Sequence, residues 1–309
     1  MIRIRSILCN WALVLAVALF ATSPAHAQDD QTVVILVSID GFRADYLDRG
    51  VTPNLSRLAH SGVKAAMRPA FPSKTFPNHW AMITGFYPDH NGIVANRIED
   101  AARPGEVFTM TTDDPFWWNS VPPVWVDAEK AGIRTATMFW PGSNVAWGGR
   151  RETTGWKEVK GGTRPSDWAQ FNMAVSDEQR VNGVLDWLRR PANIRPKLVT
   201  VYFDEVDTAG HHYGPNATET LKAVAEVDQT IGKLVRGITE LGRKVDLVIV
   251  ADHGMAGIDA SRTIALGHVA DPSLFRTIET GPFASIEANP GKADALAAAL
   301  LKPHDHMQC

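Results

Sequence analysis

Apolar positions fall into two alternating patterns along this chain, and the alternation predicts its fold. Residues 33–39, 198–203 and 247–251 are nearly continuous apolar runs, and 133–139 is rich in apolar and β-branched residues. Each reads as a strand buried on both faces. Between them, apolar residues recur at helical spacing: Val181, Val184, Leu185 and Leu188, then Leu221, Val224, Val227, Ile231, Leu234, Val235, Ile238 and Leu241. Punctuation marks further helices. Thr52-Pro53 opens one that Gly62 closes, Pro77 opens another over 77–84, and 122–130 ends at Gly132. Ser176-Asp177-Glu178-Gln179 has the form of a capping box, and Pro191 stops the helix behind it. Strands alternating with helices predict an α/β fold, a largely parallel central sheet with helices on both faces. Ligand sites in such sheets lie outside the carboxyl ends of the strands. Residues 100–120 and 141–170, rich in Gly, Pro, Thr, Asp and Trp, read as long loops over that end.

The candidate chemistry sits at those ends. Asp40 closes the first run, Asp207 and His211 follow 198–203, and Asp252 and His253 follow 247–251. Carboxylates mixed with imidazoles suit Zn²⁺, with Mn²⁺ or Fe also compatible. Five such ligands predict a two-metal site, and paired metals favour phosphoryl transfer because they hold both attacking and leaving oxygens. Thr75 precedes the Pro77 helix start, where unpaired N–H groups and the helix dipole favour anionic oxygens. A nearby metal would lower its hydroxyl pKa and make it a nucleophile; on its own, a threonine there is ordinarily a helix cap.

Composition adds limits. The 309 residues are 45% hydrophobic and 21% charged, with a formal charge of −3. Arg3 and Arg5 precede an apolar segment and Ala25-His26-Ala27, the pattern of a secretory signal over residues 1–27. The apolar core is shorter than the ~20 residues that span a bilayer, so the expectation is cleavage, a periplasmic or secreted product, and no membrane attachment afterwards. Losing Arg3 and Arg5 but no acid moves the charge from −3 to −5. Such an acidic balance argues against stable nucleic-acid binding. Cys9 leaves with the signal, so Cys309 has no intramolecular partner.

Five segments in order carry a resemblance: Val37-Ser38-Ile39-Asp40-Gly41-Phe42-Arg43; Phe71-Pro72-Ser73-Lys74-Thr75-Phe76-Pro77-Asn78-His79; Gly92-Ile93-Val94-Ala95-Asn96; Asp207-Thr208-Ala209-Gly210-His211-His212-Tyr213-Gly214-Pro215; and Ala251-Asp252-His253-Gly254-Met255. The chain resembles the nucleotide pyrophosphatase/phosphodiesterases of the alkaline phosphatase superfamily. The resemblance implies one zinc on Asp40, Asp252 and His253 and a second on Asp207 and His211. It implies Thr75 between them as nucleophile, passing through a phosphothreonine, and Asn96 as donor to a phosphoryl oxygen. It further implies a nucleotide pocket in which Phe76 and Tyr202 sandwich the base, with Phe171-Asn172 and Trp140-Pro141-Gly142 beside it. From the residues alone, Phe76 and Tyr202 also suit a packed core.

The implied activity is cleavage of nucleotide phosphodiester or pyrophosphate bonds, releasing a 5′-mononucleotide. Alternatives within the superfamily are a phosphomonoesterase or a lysophospholipid or choline phosphodiesterase. An alternative outside catalysis is an incomplete, nucleotide-binding fragment. The second zinc lacks the family's downstream histidine, for which only His304 or His306 is at hand. The expectation is therefore a catalytic domain over 28–309 that is incomplete at its C-terminus, with a weakened second zinc site. His79 reads as a satisfied structural histidine, His212 as solvent-facing, Lys74 as either an anion holder or exposed, and Asp204 as support for the ligands. The tryptophans at 117, 118, 125, 147, 156, 168 and 187 read as packing.

Overall fold

The first apolar run becomes Val33–Ile39 (β1), an interior strand of the sheet in a computed structural model that describes residues 32–156 and 158–304. The signal-like segment 1–27 and His306 lie outside the described residues. Helices Pro53–Ser61 (α1), Thr75–Thr84 (α2) and Val124–Lys130 (α3) precede Thr135–Met138 (β2) and the short strand Asp167–Ala169 (β3). Then come Asp177–Arg189 (α4), Leu198–Phe203 (β4), Glu205–Tyr213 (α5), Thr218–Glu240 (α6) and Val245–Val250 (β5). A hairpin, Phe275–Glu279 (β6) and Ser285–Ala288 (β7), and a helix, Ala293–Leu300 (α7), follow.

The five-stranded sheet has the order β3-β2-β4-β1-β5, and every pairing is parallel. Side chains alternate across β1, so its two faces meet different layers. Val33, Ile35, Val37 and Ile39 join the core that α4 and α6 cover through Val184, Leu188, Val227 and Ile231. Leu36 points to the opposite layer, where α2, α3 and the intervening loop contribute Trp80, Trp125, Trp117 and Trp118. Those tryptophans pack, as expected, whereas Trp156 and Trp168 are exposed. The predicted capping box is present: the Ser176 hydroxyl accepts from the Gln179 N–H while Gln179 accepts from the Ser176 N–H.

Three departures from the pattern matter for the site. α2 begins at Thr75, two residues before Pro77, and its N-cap is Lys74, so Thr75 is the first helical residue and not the cap. Residues 205–213 form a helix that hydrophobic periodicity did not signal. Gly210 lies inside it, at a position where glycine ordinarily costs ~1 kcal/mol; the Met255 side chain occupies the space a Cβ would need. The 141–170 loop also supplies β3, an edge strand. Among the described residues no helix is long and apolar enough to cross a membrane.

Candidate metal centre

Asp40 stands directly after β1 and Asp252 two residues after the neighbouring β5, so parallel pairing alone brings both carboxylates to one edge of the sheet. Both are buried. Gly41 shapes the approach. Its φ is +67°, and a Cβ there would lie 3.0 Å from the Asp207 Cα; its N–H donates to Asp252 Oδ1 at 3.2 Å. Asp207 comes from the first turn of α5, with His211 one turn later and its Nε2 3.4 Å from Asp207 Oδ2.

The donors converge. Asp40, Asp207 and His253 each offer a ligand atom, all within 4.8 Å of one another, and this is the one such cluster among the described residues. His253 Nδ1 meets the Gly254 carbonyl at 2.9 Å, which fixes the proton there and leaves Nε2 facing the carboxylates. That Nε2 lies 3.5 Å from Asp40 Oδ1, 3.2 Å from Asp252 Oδ2 and 3.4 Å from the Thr75 hydroxyl. Asp40 Oδ1, Asp207 Oδ1 and Asp252 Oδ2 are buried without a hydrogen-bond partner. Orphaned buried carboxylate oxygens are costly, and a divalent cation would satisfy them. The electrostatics agree. Burial first, then the charges of Asp252 and Asp207, push the Asp40 carboxyl well above the usual range. Burial raises Asp207 and carries Asp252 up to about 7.

The grouping differs from the expectation in one respect. The geometric cluster joins Asp40, Asp207 and His253, which the resemblance divided between two zincs; Asp252 is not part of it, and His211 stands beside it with its side chain 71% exposed. His304 is not in it; its Nε2 meets the Ala299 carbonyl at 3.0 Å.

The aromatic residues divide by depth. Tyr202 is only 8% exposed, and its hydroxyl donates to Asp40 Oδ2 at 2.6 Å. Trp140 is 1% exposed and packs edge-on against His79. Neither turns a ring face to solvent. Phe171 is 43% exposed and contacts Phe139 and Tyr202 edge-on. Phe76, beside Thr75, is partly buried against Phe108 and Trp118. Asn96 accepts the Phe76 N–H on Oδ1 at 3.1 Å.

Sequence spacing missed the Tyr202–Asp40 bond and also Arg180. The buried Arg180 guanidinium donates to Asp204 at 2.8 Å and to the Tyr202 carbonyl at 3.1 Å, and lies against Phe139 and Phe171. Asp204 thus ties the end of β4 to α4 through Arg180. Glu205, 3.6 Å from Arg180, is pushed up to about 8 by burial and by its neighbour Asp177. Phe139 takes a left-handed φ of +67°, an uncommon conformation for an aromatic residue, directly after β2. The Lys74 ammonium is neither free nor fully exposed; it pairs with Glu279 at 2.6 Å and sits over Phe283. His79 is buried with both ring nitrogens engaged, and burial lowers its pKa to about 3, so it is neutral. His212 is exposed, its Nδ1 meeting the Thr208 carbonyl.

A parallel sheet bearing carboxylate and imidazole donors at its carboxyl edge defines an α/β protein of alkaline phosphatase-like architecture. Comparison with known proteins narrows this. The type I phosphodiesterase / nucleotide pyrophosphatase family matches residues 34–308, and the chain belongs to that family. It is 37% identical over 246 residues to an uncharacterized pyrophosphatase/phosphodiesterase of Schizosaccharomyces pombe, covering 77% of this chain and 48% of that protein. It is 37% identical over 257 residues to the bis(5′-adenosyl)-triphosphatase enpp4 of Xenopus laevis, covering 82% and 54%. The chain thus spans about half the length of these curated relatives. Among solved structures, murine ectonucleotide pyrophosphatase/phosphodiesterase 5 superposes with a TM-score of 0.79 at 28% identity, covering 89% of this chain and 71% of the murine one. An inactive variant of the murine protein, in complex with AMP, matches equally well.

Proposed function

We propose that this chain is an exported, zinc-dependent nucleotide phosphodiesterase/pyrophosphatase that releases a 5′-mononucleotide. The observation that carries the reading is the Thr75 hydroxyl, on the first residue of a helix, 3.4 Å from the same His253 Nε2 that faces Asp40 and Asp252. A hydroxyl at a helix N-terminus, against a cluster built for divalent cations, is placed to attack phosphorus. In this reading Asp40, Asp252 and His253 hold one zinc and Asp207 and His211 a second. When bound, the cations supply positive charge to the attacking and leaving oxygens.

The remaining roles belong to the chain. Thr75 forms a bond to phosphorus as the bond to the leaving oxygen breaks, and water later hydrolyses the phosphothreonine. Asn96, with Oδ1 committed to the Phe76 N–H, has its amide NH₂ left to donate to a phosphoryl oxygen. The Thr75 N–H, at the first helical position, has no acceptor within the helix and serves the same charge. The base packs between Phe76 and Phe171. Tyr202 packs edge-on against Phe171 and holds Asp40, and Trp140 packs on His79. The AMP complex of the murine relative supports a nucleotide ligand, and the acidic charge balance supports a small substrate over a nucleic acid.

A substrate panel tests the reading. Zinc-stimulated cleavage of a chromogenic nucleoside 5′-monophosphate ester should exceed cleavage of choline and monoester substrates by ~10-fold or more, the worth of one stacked base. Preference for choline or for a monoester would overturn the nucleotide assignment.

A further inference from the structure

His79 is a fully buried imidazole whose environment assigns its proton. Nδ1 faces two oxygens, the Thr75 carbonyl at 2.8 Å and Asp252 Oδ2 at 3.5 Å. A carbonyl has no proton to give, so a bare Nδ1 would set lone pair against lone pair; Nδ1 carries the hydrogen. Nε2 is then the acceptor, and its neighbour, the Ser38 hydroxyl at 2.8 Å, donates to it. Ser38 is on β1, two residues before Asp40, while Thr75 is the first residue of α2. The ring cannot easily turn. Trp140 and Tyr202 stand edge-on to it at 5.1 and 5.2 Å, and the Trp140 indole N–H donates to the His79 carbonyl at 3.3 Å.

We propose that His79 is a positioning residue for Thr75: an imidazole with its proton on Nδ1 that braces the nucleophile's carbonyl against the strand carrying Asp40. The proposal rests on the reading of Thr75 as nucleophile. The chain of contacts, Ser38 to His79 to Thr75, spans the sheet and the helix, so it sets the distance between the Thr75 hydroxyl and the carboxylate cluster. Displacing a reacting group by ~1 Å costs on the order of 10²-fold in rate. A residue acting only on position lowers kcat while substrate affinity stays the same.

Two substitutions separate the nitrogens. His79→Asn keeps an amide near the Nδ1 position and can still donate to the Thr75 carbonyl. His79→Gln keeps a polar atom near Nε2 and loses that bond. Expected is a kcat within ~3-fold of wild type for His79→Asn and a fall on the order of 10²-fold for His79→Gln, both at unchanged KM. Equal losses in both variants, or a loss appearing in KM, would overturn the proposal. A second measurement needs no activity, the His79 signal being assigned by its loss in His79→Gln. Nitrogen-15 NMR of histidine-labelled, metal-free wild type should show a buried imidazole protonated at Nδ1 and bare at Nε2, and the opposite tautomer would overturn the bracing geometry. A wild type inactive on every ester would overturn the nucleophile reading, and the NMR result would still decide the brace.

Discussion

Replacing Asp252 with asparagine should stabilise the protein in the absence of metal. Asp252 is fully buried; Oδ1 accepts the Gly41 N–H, and Oδ2 has no partner. Burial raises its carboxyl from 3.8 to about 7. At ~1.4 kcal/mol per pKa unit, ionising it inside the metal-free fold costs up to about 4 kcal/mol; Asp40 and Asp207 share the burial, which makes this a ceiling. The sign follows from linkage. The folded pKa lies above the unfolded one, so the penalty is absent below pH ~4, where both states hold the proton, and complete above pH ~7. Asparagine retains the acceptor for Gly41 and carries no charge. Denaturant melts in EDTA should therefore show Asp252→Asn gaining stability over wild type as pH rises from 4 to 8, with no gain at pH 4. Added zinc should reverse the order by stabilising wild type, because binding to the native state alone raises its stability. A variant less stable than wild type in EDTA at pH 8, or a gain independent of pH, would refute the claim that these carboxylates are assembled for a cation.

Other consequences follow from single contacts. Tyr202→Phe removes the 2.6 Å donor to Asp40 and should weaken zinc binding by ~10–100-fold, the usual effect of losing a bond to a ligating group, read by competition with a chromogenic chelator. Gly41→Ala forces a Cβ to 3.0 Å from the Asp207 Cα at a φ of +67°, and should cost about 1–3 kcal/mol in chemical denaturation. Phe171→Ala removes the most exposed of the pocket aromatics and should raise KM for a nucleoside ester by ~10-fold while sparing a substrate without a base.

The layers of the fold were legible because burial writes a period into the chain. β1 and β4 match their apolar runs residue for residue, and the capping box fixed where α4 begins. The clustered carboxylates and imidazole were legible because they follow those runs closely. What was hidden depends on tertiary contact. α5 carries a glycine and few apolar residues and packs against α6, a tertiary contact that periodicity does not show. The Tyr202–Asp40 bond joins residues 162 apart in sequence, and that between Ser38 and His79 joins residues 41 apart. Nothing in local spacing signals either. Aromatic identity likewise did not separate Phe171, 43% exposed, from the buried Tyr202 and Trp140.

The most direct test of the account is to look for phosphate on Thr75. Intact-mass and peptide mass spectrometry after acid quenching, with zinc and a nucleoside 5′-monophosphate ester present, would be run on wild type and Thr75→Ala. The account predicts a zinc-dependent nucleotidyl adduct that maps to Thr75 and is missing, along with turnover, from the variant. Turnover that survives in Thr75→Ala, or proceeds unchanged in excess chelator, would contradict it.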